Sequence, residues 1–395
     1  MRVLLFICMV IFITSCSNLQ VEKAANNPSL QKINIPKEEV INNDIVESAS
    51  YIFLDSEYLI GNISRILFFE NNIYIHDEMT NRIVAFSMKG KYLFHIDQKG
   101  KGPGEYLKLS DFAIDEAKRN ILIFDENSHK ILRYSIDGQK FIHEQKIDFY
   151  PTAFAWNSNC LFFYNPFTFN YPRNEKYHYS LIKTSDEMEK EKRYFSIDKK
   201  IGNFMSDPNP KGFFYGNNLC MLNRFDNIIY SLAKDSIYAN YKILFADNDD
   251  YQNALNDAIS KGTRDIDRYH NCAADIGDFC ESDDFMTFSY FRNNKNYSVI
   301  FSKKKKSIIL HQARFSIFSK KSLRNNIPIF INPSNVKGDL FVSIIPCNLI
   351  EQLTNHKNFQ KLMMENMSDT DLVEKLKNFD LNSNPVIVFY KFKSQ

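Results

Sequence analysis

No run of apolar residues in this sequence is long enough to cross a bilayer. The longest near the N-terminus, Val3 to Ile13, has 11 residues, against the roughly 20 that a spanning helix needs. Charge of one sign is also lacking: 49 basic residues face 47 acidic ones, a net of +2, so no strong field argues for a nucleic acid or another polyanion as partner. Beyond Cys8 and Cys16, five cysteines remain (Cys160, Cys220, Cys272, Cys280 and Cys347) with no CxxC spacing. Their odd number and lack of pairing motif speak against a disulfide framework, although Cys272 and Cys280 could pair in an oxidising periplasm. There is no HExxH and no GxSxG, and no serine or cysteine nucleophile has a base at a telling spacing.

What the chain has is an internal repeat. Asn72 to Gly90 (NIYIHDEMTNRIVAFSMKG) aligns without a gap on Asn120 to Gly138 (NILIFDENSHKILRYSIDG), and eight of the 19 pairs are identical, Asp77/Asp125 and Gly90/Gly138 among them. A period of roughly 40 to 50 residues with four strand-like runs per unit points to a propeller. In the second unit the runs are Ser110 to Asp115, Asn120 to Asp125, Lys130 to Ile136 and Lys140 to Ile147. Turn formers bound each run, Asp137-Gly138 most clearly.

Later units are more diverged and follow from strand runs alone. A third spans Pro151 to Ile197, and a fourth contains Asn218 to Leu222, Asn227 to Leu232 and Ile237 to Phe245. A fifth contains Asp284 to Phe291, Tyr297 to Ser302 and Ser307 to Gln312. A sixth contains Ile327 to Ile331, Asp339 to Ile345 and Pro385 to Phe392, one strand short of four. The run Ala49 to Leu54, ahead of the first unit, can supply the missing strand and so pair the two chain ends. Helical insertions are expected at Tyr251 to Ser260 and at Leu349 to Met364 with Asp369 to Asn378. The expected fold is therefore an all-β, six-bladed β-propeller over residues 33–395, with small helical insertions.

Residues 1–15 read as a signal peptide, and Ile13-Thr14-Ser15-Cys16 resembles the bacterial lipobox, in which the cysteine is lipidated and begins the mature chain. The polar, unpatterned stretch 16–32 reads as a tether. Ser17, rather than Asp, follows the cysteine, which favours the outer membrane, on its periplasmic or surface side.

Gly100-Lys101-Gly102-Pro103-Gly104-Glu105-Tyr106, then Asp111-Phe112-Ala113-Ile114-Asp115, the run Asp226 to Tyr230 and the closing Asn384-Pro385-Val386 look like the six-bladed propeller lipoproteins of Bacteroides-type bacteria, relatives of NHL-repeat propellers. The resemblance covers essentially the whole mature chain. It implies a fold but no activity. The glycine loop itself is a poor phosphate cradle, because Pro103 removes a donor and a strand follows instead of a helix.

With alternating strand directions, the loops between blades and those joining second to third strands share one face, taken here as the mouth. It would gather Asp77, Glu105, Tyr106, Asp125 and His129. It would also gather the loop Asn165 to Tyr177, whose Phe167, Phe169, Tyr171 and Arg173 could stack on sugar rings or grip a peptide. Competing structural roles are plain: Asp77 and Asp125 as strand-end carboxylates bonding their own turns, and the aromatics covering a blade edge. The acidic stretch Asp265 to Asp284 lacks EF-hand or zinc spacing and reads as a solvated loop, and Lys303 to Lys306 as an exposed hairpin turn.

The expected function is a lipid-anchored envelope propeller that binds a glycan, a peptide or an envelope protein, with the membrane held through its lipid and no nucleic-acid partner. No cofactor is expected, Ca²⁺ being the weak exception. The alternative is a propeller hydrolase or lyase with a carboxylate and His site, possible because propeller enzymes assemble sites from distant blades.

Overall fold

A computed structural model describes residues 20–21, 24–25, 30–42, 45–165, 178–189, 191–197, 212–223, 227–246, 273–293, 295–313, 333–354, 379 and 382–393. The expected helices at Tyr251 to Ser260 and Asp369 to Asn378 and the strand at Ile327 to Ile331 lie outside these residues, as do Cys16 and Cys272.

Three N-terminal strands, β1 (Gln20–Val21), β2 (Gln31–Ile35) and β3 (Val46–Phe53), precede the first blade. Blade one comprises β4 (Ile63–Phe69), β5 (Asn72–Asp77), β6 (Arg82–Ser87) and β7 (Tyr92–Ile96). Blade two comprises β8 (Leu109–Asp115), β9 (Asn120–Asp125), β10 (Lys130–Ser135) and β11 (Phe141–Lys146). Blade three holds β12 (Ala153–Asn157), β13 (Cys160–Tyr164), β14 (His178–Ser185) and β15 (Lys192–Ile197). Blade four holds β16 (Phe213–Phe214), β17 (Cys220–Asn223), β18 (Ile228–Leu232) and β19 (Ile237–Phe245). Blade five holds β20 (Ala274–Glu281), β21 (Phe285–Arg292), β22 (Lys295–Ser302) and β23 (Ser307–Ala313). Blade six is β24 (Asn335–Lys337), β25 (Leu340–Ile345), β26 (Val386–Phe392) and β3, with the helix α1 (Cys347–Thr354) inserted before β26.

The first strands of the blades, β4, β8, β12, β16, β20 and β24, touch in sequence and the last touches the first, which closes the ring. Six apolar clusters fill the six gaps between neighbouring blades. Tyr74, Phe112 and Leu132 pack between blades one and two, and Phe86, Val342 and Ile387 between blades six and one. Central strands are covered on both faces, which is why β9, NILIFD, is buried along its whole length and lacks polar alternation.

The internal repeat extends to irregularities. The pairing register shifts between Ala85 and Phe86 in blade one and between Arg133 and Tyr134 in blade two, with further shifts at Ile229/Tyr230 and Ile300/Phe301. With the shift between Lys391 and Phe392 in blade six, a bulge between third and fourth strands recurs in five blades and adds the local twist that a radiating blade needs.

Closure follows the sequence reading. β3 pairs antiparallel with β26, Ile52 opposite Ile387 and Ala49 opposite Tyr390. The tether is more engaged than its composition suggests. Gln20 and Val21 pair in parallel with Lys192 and Arg193 of blade three, and Ala25 bridges Tyr238. Gln31–Ile35 then forms a fifth strand on blade four, and Val40 pairs with His311 of blade five. The N-terminal segment is thus a strap along the outer edges of blades three to six. Ile33 and Ile35 hold it, buried against Tyr241 and Ile243.

One reading is corrected. The acidic stretch Asp265 to Asp284 is not loop throughout, because Ala274–Glu281 is the innermost strand of blade five. Its alternation is hidden by register shifts around Gly277 and by Asp278, which sits at φ 48°. Likewise Lys303 is not spent on solvent: its ammonium pairs with buried Glu281 at 2.7 Å.

Candidate functional site

The expected mouth residues do gather on one face, where they hold the loops between blades. Asp77 accepts the backbone N–H groups of Gly61 and Asn62 at 3.1 and 2.9 Å. Asp125, one repeat on, accepts those of Leu107 and Lys108 at 2.8 and 3.2 Å and those of Asn127 and Ser128, both at 3.1 Å. Both carboxylates are fully buried. Tyr106 is also fully buried, and its hydroxyl lies 3.0 Å from the carbonyls of both Asn81 and Ile96. Glu105 folds back to accept the Gly102 N–H at 2.8 Å. His129 sits at φ 49° with its ring edge-on to Tyr150, centroids 4.6 Å apart. Phe167, Phe169, Tyr171 and Arg173 lie outside the described residues.

A cavity of about 660 Å³ opens on the opposite face, around the propeller axis. It is built from the turns joining first to second strands. These turns are tight and use left-handed residues: Glu70 (φ 52°), Arg119 (φ 54°), Ser158 and Asn159 (φ 52° and 60°) and Gly338 (φ 60°). The consecutive pair Ser158-Asn159 matches the two positive φ values of a type I′ hairpin. Such turns lift side chains over the axis.

One wall is Trp156, the chain's single tryptophan, at the end of β12. Its ring packs on the buried Arg133 guanidinium, 5.4 Å from the ring centroid, and Arg133 is ion-paired to Asp186. Asp115, in the wall beside them, accepts the Lys118 N–H at 3.0 Å through Oδ1. Its Oδ2 is buried without a hydrogen bond, 4.0 Å from Arg133 Nη1. A buried acceptor left in this state is costly and draws a donor to itself.

Tyr215, from blade four, crosses the axis to stack on Arg65 of blade one, 5.0 Å from guanidinium to centroid. Arg65 in turn grips Asp111 of blade two with Nη2 to Oδ2 at 2.9 Å. Burial pushes the Tyr215 hydroxyl well above the ordinary tyrosine range, so it stays protonated. Asn157 and Asn335 spend their amides on the Leu232 and Ile66 carbonyls, at 2.8 and 2.6 Å, and so tie adjacent blades. Glu116, Asn159 and Asn218 are exposed along the rim. Lys337 lies 5.4 Å over the Phe68 ring, with burial lowering its pKa.

The wall is thus aromatic, amide and carboxylate in character, with Lys337 as its one cation among the lining residues. It can stack on a ring and accept several hydrogen bonds. Among the described residues, no group of three or more His, Cys, Asp or Glu side chains is placed to hold a metal ion.

Residues 28–391 match the model of a domain of unknown function, DUF4934. The chain belongs to this family. Among solved structures it is similar to an exported protein of Bacteroides fragilis described as putative, with 18% identity and a TM-score of 0.71, covering 92% of this chain and 100% of that one. A DUF4221 family member from Bacteroides vulgatus covers 89% of this chain and 98% of its own at 12% identity and a TM-score of 0.49. No curated protein matches. At these identities the first likeness shows the propeller fold.

None of the cavity residues stood out in the sequence. Trp156 is singular by count, and the turns after first strands differ between otherwise alike repeats, Glu70 aligning with Lys118 and Asn71 with Arg119.

Proposed function

We propose that this DUF4934 protein is an exported, lipid-anchored propeller that binds a hydroxyl-rich ligand of the size of a small glycan fragment in its axial cavity. The observation that carries this reading is the cavity wall. Trp156 and Tyr215 supply aromatic surface, and Glu116, Asn159 and Asn218 rim the opening with exposed polar groups. A volume of about 660 Å³ lies within the range of roughly 300–1,000 Å³ typical of small-molecule sites. Carboxylates at the rim disfavour anions. The lipobox-like Ile13 to Cys16 and the resemblance to an exported protein support placement in the cell envelope.

Because Trp156 is the only tryptophan, its emission reports directly on the site. Neutral, amino and acidic oligosaccharides titrated against the soluble chain starting at Ser17 should give a saturable fluorescence change with the neutral or amino class. That change should be lost in Glu116→Ala/Asn159→Ala. No change with any class, in a folded protein, would sink the proposal. Incubation of the bound class with product analysis separates binding from the hydrolase or lyase alternative.

A further inference from the structure

The strap bears on how an anchored propeller would stand on its membrane. Gln20 pairs with Lys192, the first residue of β15, and runs parallel to it. β15 is the fourth strand of its blade and starts on the face where first strands end, which is the face of the axial cavity. The same sense holds at the next two contacts, Ala25 with Tyr238 and Gln31 with Tyr241, both parallel to β19. The chain therefore enters the propeller from the cavity side, at the outer edge of blade three. Trp156 belongs to that same blade.

Only Ser17, Asn18 and Leu19 separate Cys16 from Gln20. Four residue steps, fully extended, span at most about 14 Å. Residues 16–32, read from composition alone, look like a free tether. A pairing that begins at Gln20 leaves three residues of sequence between Cys16 and the first strand.

We infer that the lipid on Cys16 holds the propeller with its cavity-bearing face toward the bilayer, the outer edge of blade three lying within about 14 Å of the anchor. This rests on the lipid anchor proposed above. The ligand would then reach the cavity from the membrane side, and the face bearing Asp77 and Asp125 would look away.

The test uses the full lipidated chain in vesicles carrying a dansyl-labelled phosphatidylethanolamine, with energy transfer from Trp156 to the lipid as readout. A second protein, Trp156→Phe with Tyr150→Trp, moves the donor to the loop between blades two and three on the opposite face, where Tyr150 is exposed. A third carries a Gly/Ser insert of about 20 residues after Asn18, which adds a flexible reach of roughly 25 Å. Stronger transfer from Trp156 than from Trp at position 150, with loss of transfer in the insert variant, is the expected result. Equal or stronger transfer from position 150 overturns the orientation, and transfer unchanged by the insert overturns the short leash. The mass of the mature chain reads the anchor separately. An unlipidated Cys16, or a Cys16→Ala chain that still partitions with membranes, overturns the anchor and this inference with it.

Discussion

The Asp125 carboxylate accepts the Leu107 backbone N–H at 2.8 Å, across the gap between strand end and inter-blade loop. Asp77 does the same for Gly61 one repeat earlier. Asp125→Ala leaves four backbone donors without their acceptor, at a cost of about 3 kcal/mol. A drop of several degrees in melting temperature is expected, with ligand affinity at the axial cavity unchanged. Loss of binding in a variant of normal stability would return Asp125 to the site.

The rim makes the opposite prediction. Asn218 is exposed and touches no neighbouring blade through a side-chain hydrogen bond, so replacing it with Ala should move the melting point by less than the equivalent of about 0.5 kcal/mol, whereas Asn159→Ala adds about 1 kcal/mol for its left-handed backbone. The Trp156 titration should nevertheless weaken about tenfold, the loss of one or two hydrogen bonds.

Acid should loosen blade one. His76 is buried, its Nδ1 2.6 Å from the Ser64 hydroxyl, and burial lowers its pKa to about 4. The unfolded chain takes up the proton at about 6.5 and the folded chain only near 4. Stability contributed by neutral His76 is therefore present above about 6.5 and is lost as the pH falls toward 4, by as much as about 3 kcal/mol. His311, whose pKa burial also lowers, adds in the same direction. Melting curves of wild type and His76→Gln between pH 7 and 4.5 should converge on the acid side.

Gly90 and Gly338 both have positive φ, 82° and 60°, but their surroundings differ. A Cβ on Gly90 would lie 2.0 Å from the Phe53 carbonyl oxygen, at the join between blades six and one, while one on Gly338 meets nothing within 4 Å. Gly338→Ala should cost about 1 kcal/mol for conformation alone. Gly90→Ala should cost several times more, measured by denaturant melts.

Ile33 is almost fully buried against blade four, and Ile33→Asp should destabilise by more than about 3 kcal/mol. Preservation of stability would show that the fifth strand of blade four is dispensable.

Blades one and two were legible because they repeat, to the residue, the pattern of Asn72 to Gly90. The closing strand was legible because ASYIFL had no other partner. Blade five's inner strand was not, since Asp275, Asp278 and Glu281 mimic a solvated loop and a bulge breaks the alternation at Gly277. The sequence left Asp77 and Asp125 with two readings, because an Asp at a strand end looks the same whether it binds a ligand or a neighbouring amide. The difference lies in loops 46 residues apart in the repeat, Gly61 and Leu107, which no local pattern links to it. The axial cavity was invisible for the converse reason. Its residues come from five blades, and only the closed ring brings Trp156 near Tyr215.

The join between blades six and one has a consequence for how the chain is made. Asn384 donates to the Asp55 carbonyl across 329 residues of sequence, and β3, synthesised early, waits for β26, synthesised last. A ribosome or translocon delivering this chain from its N-terminus holds the ring open until nearly the whole polypeptide has emerged. A product lacking Val386–Phe392 would leave the edge of β3 unpaired, the kind of open strand edge that invites misassembly.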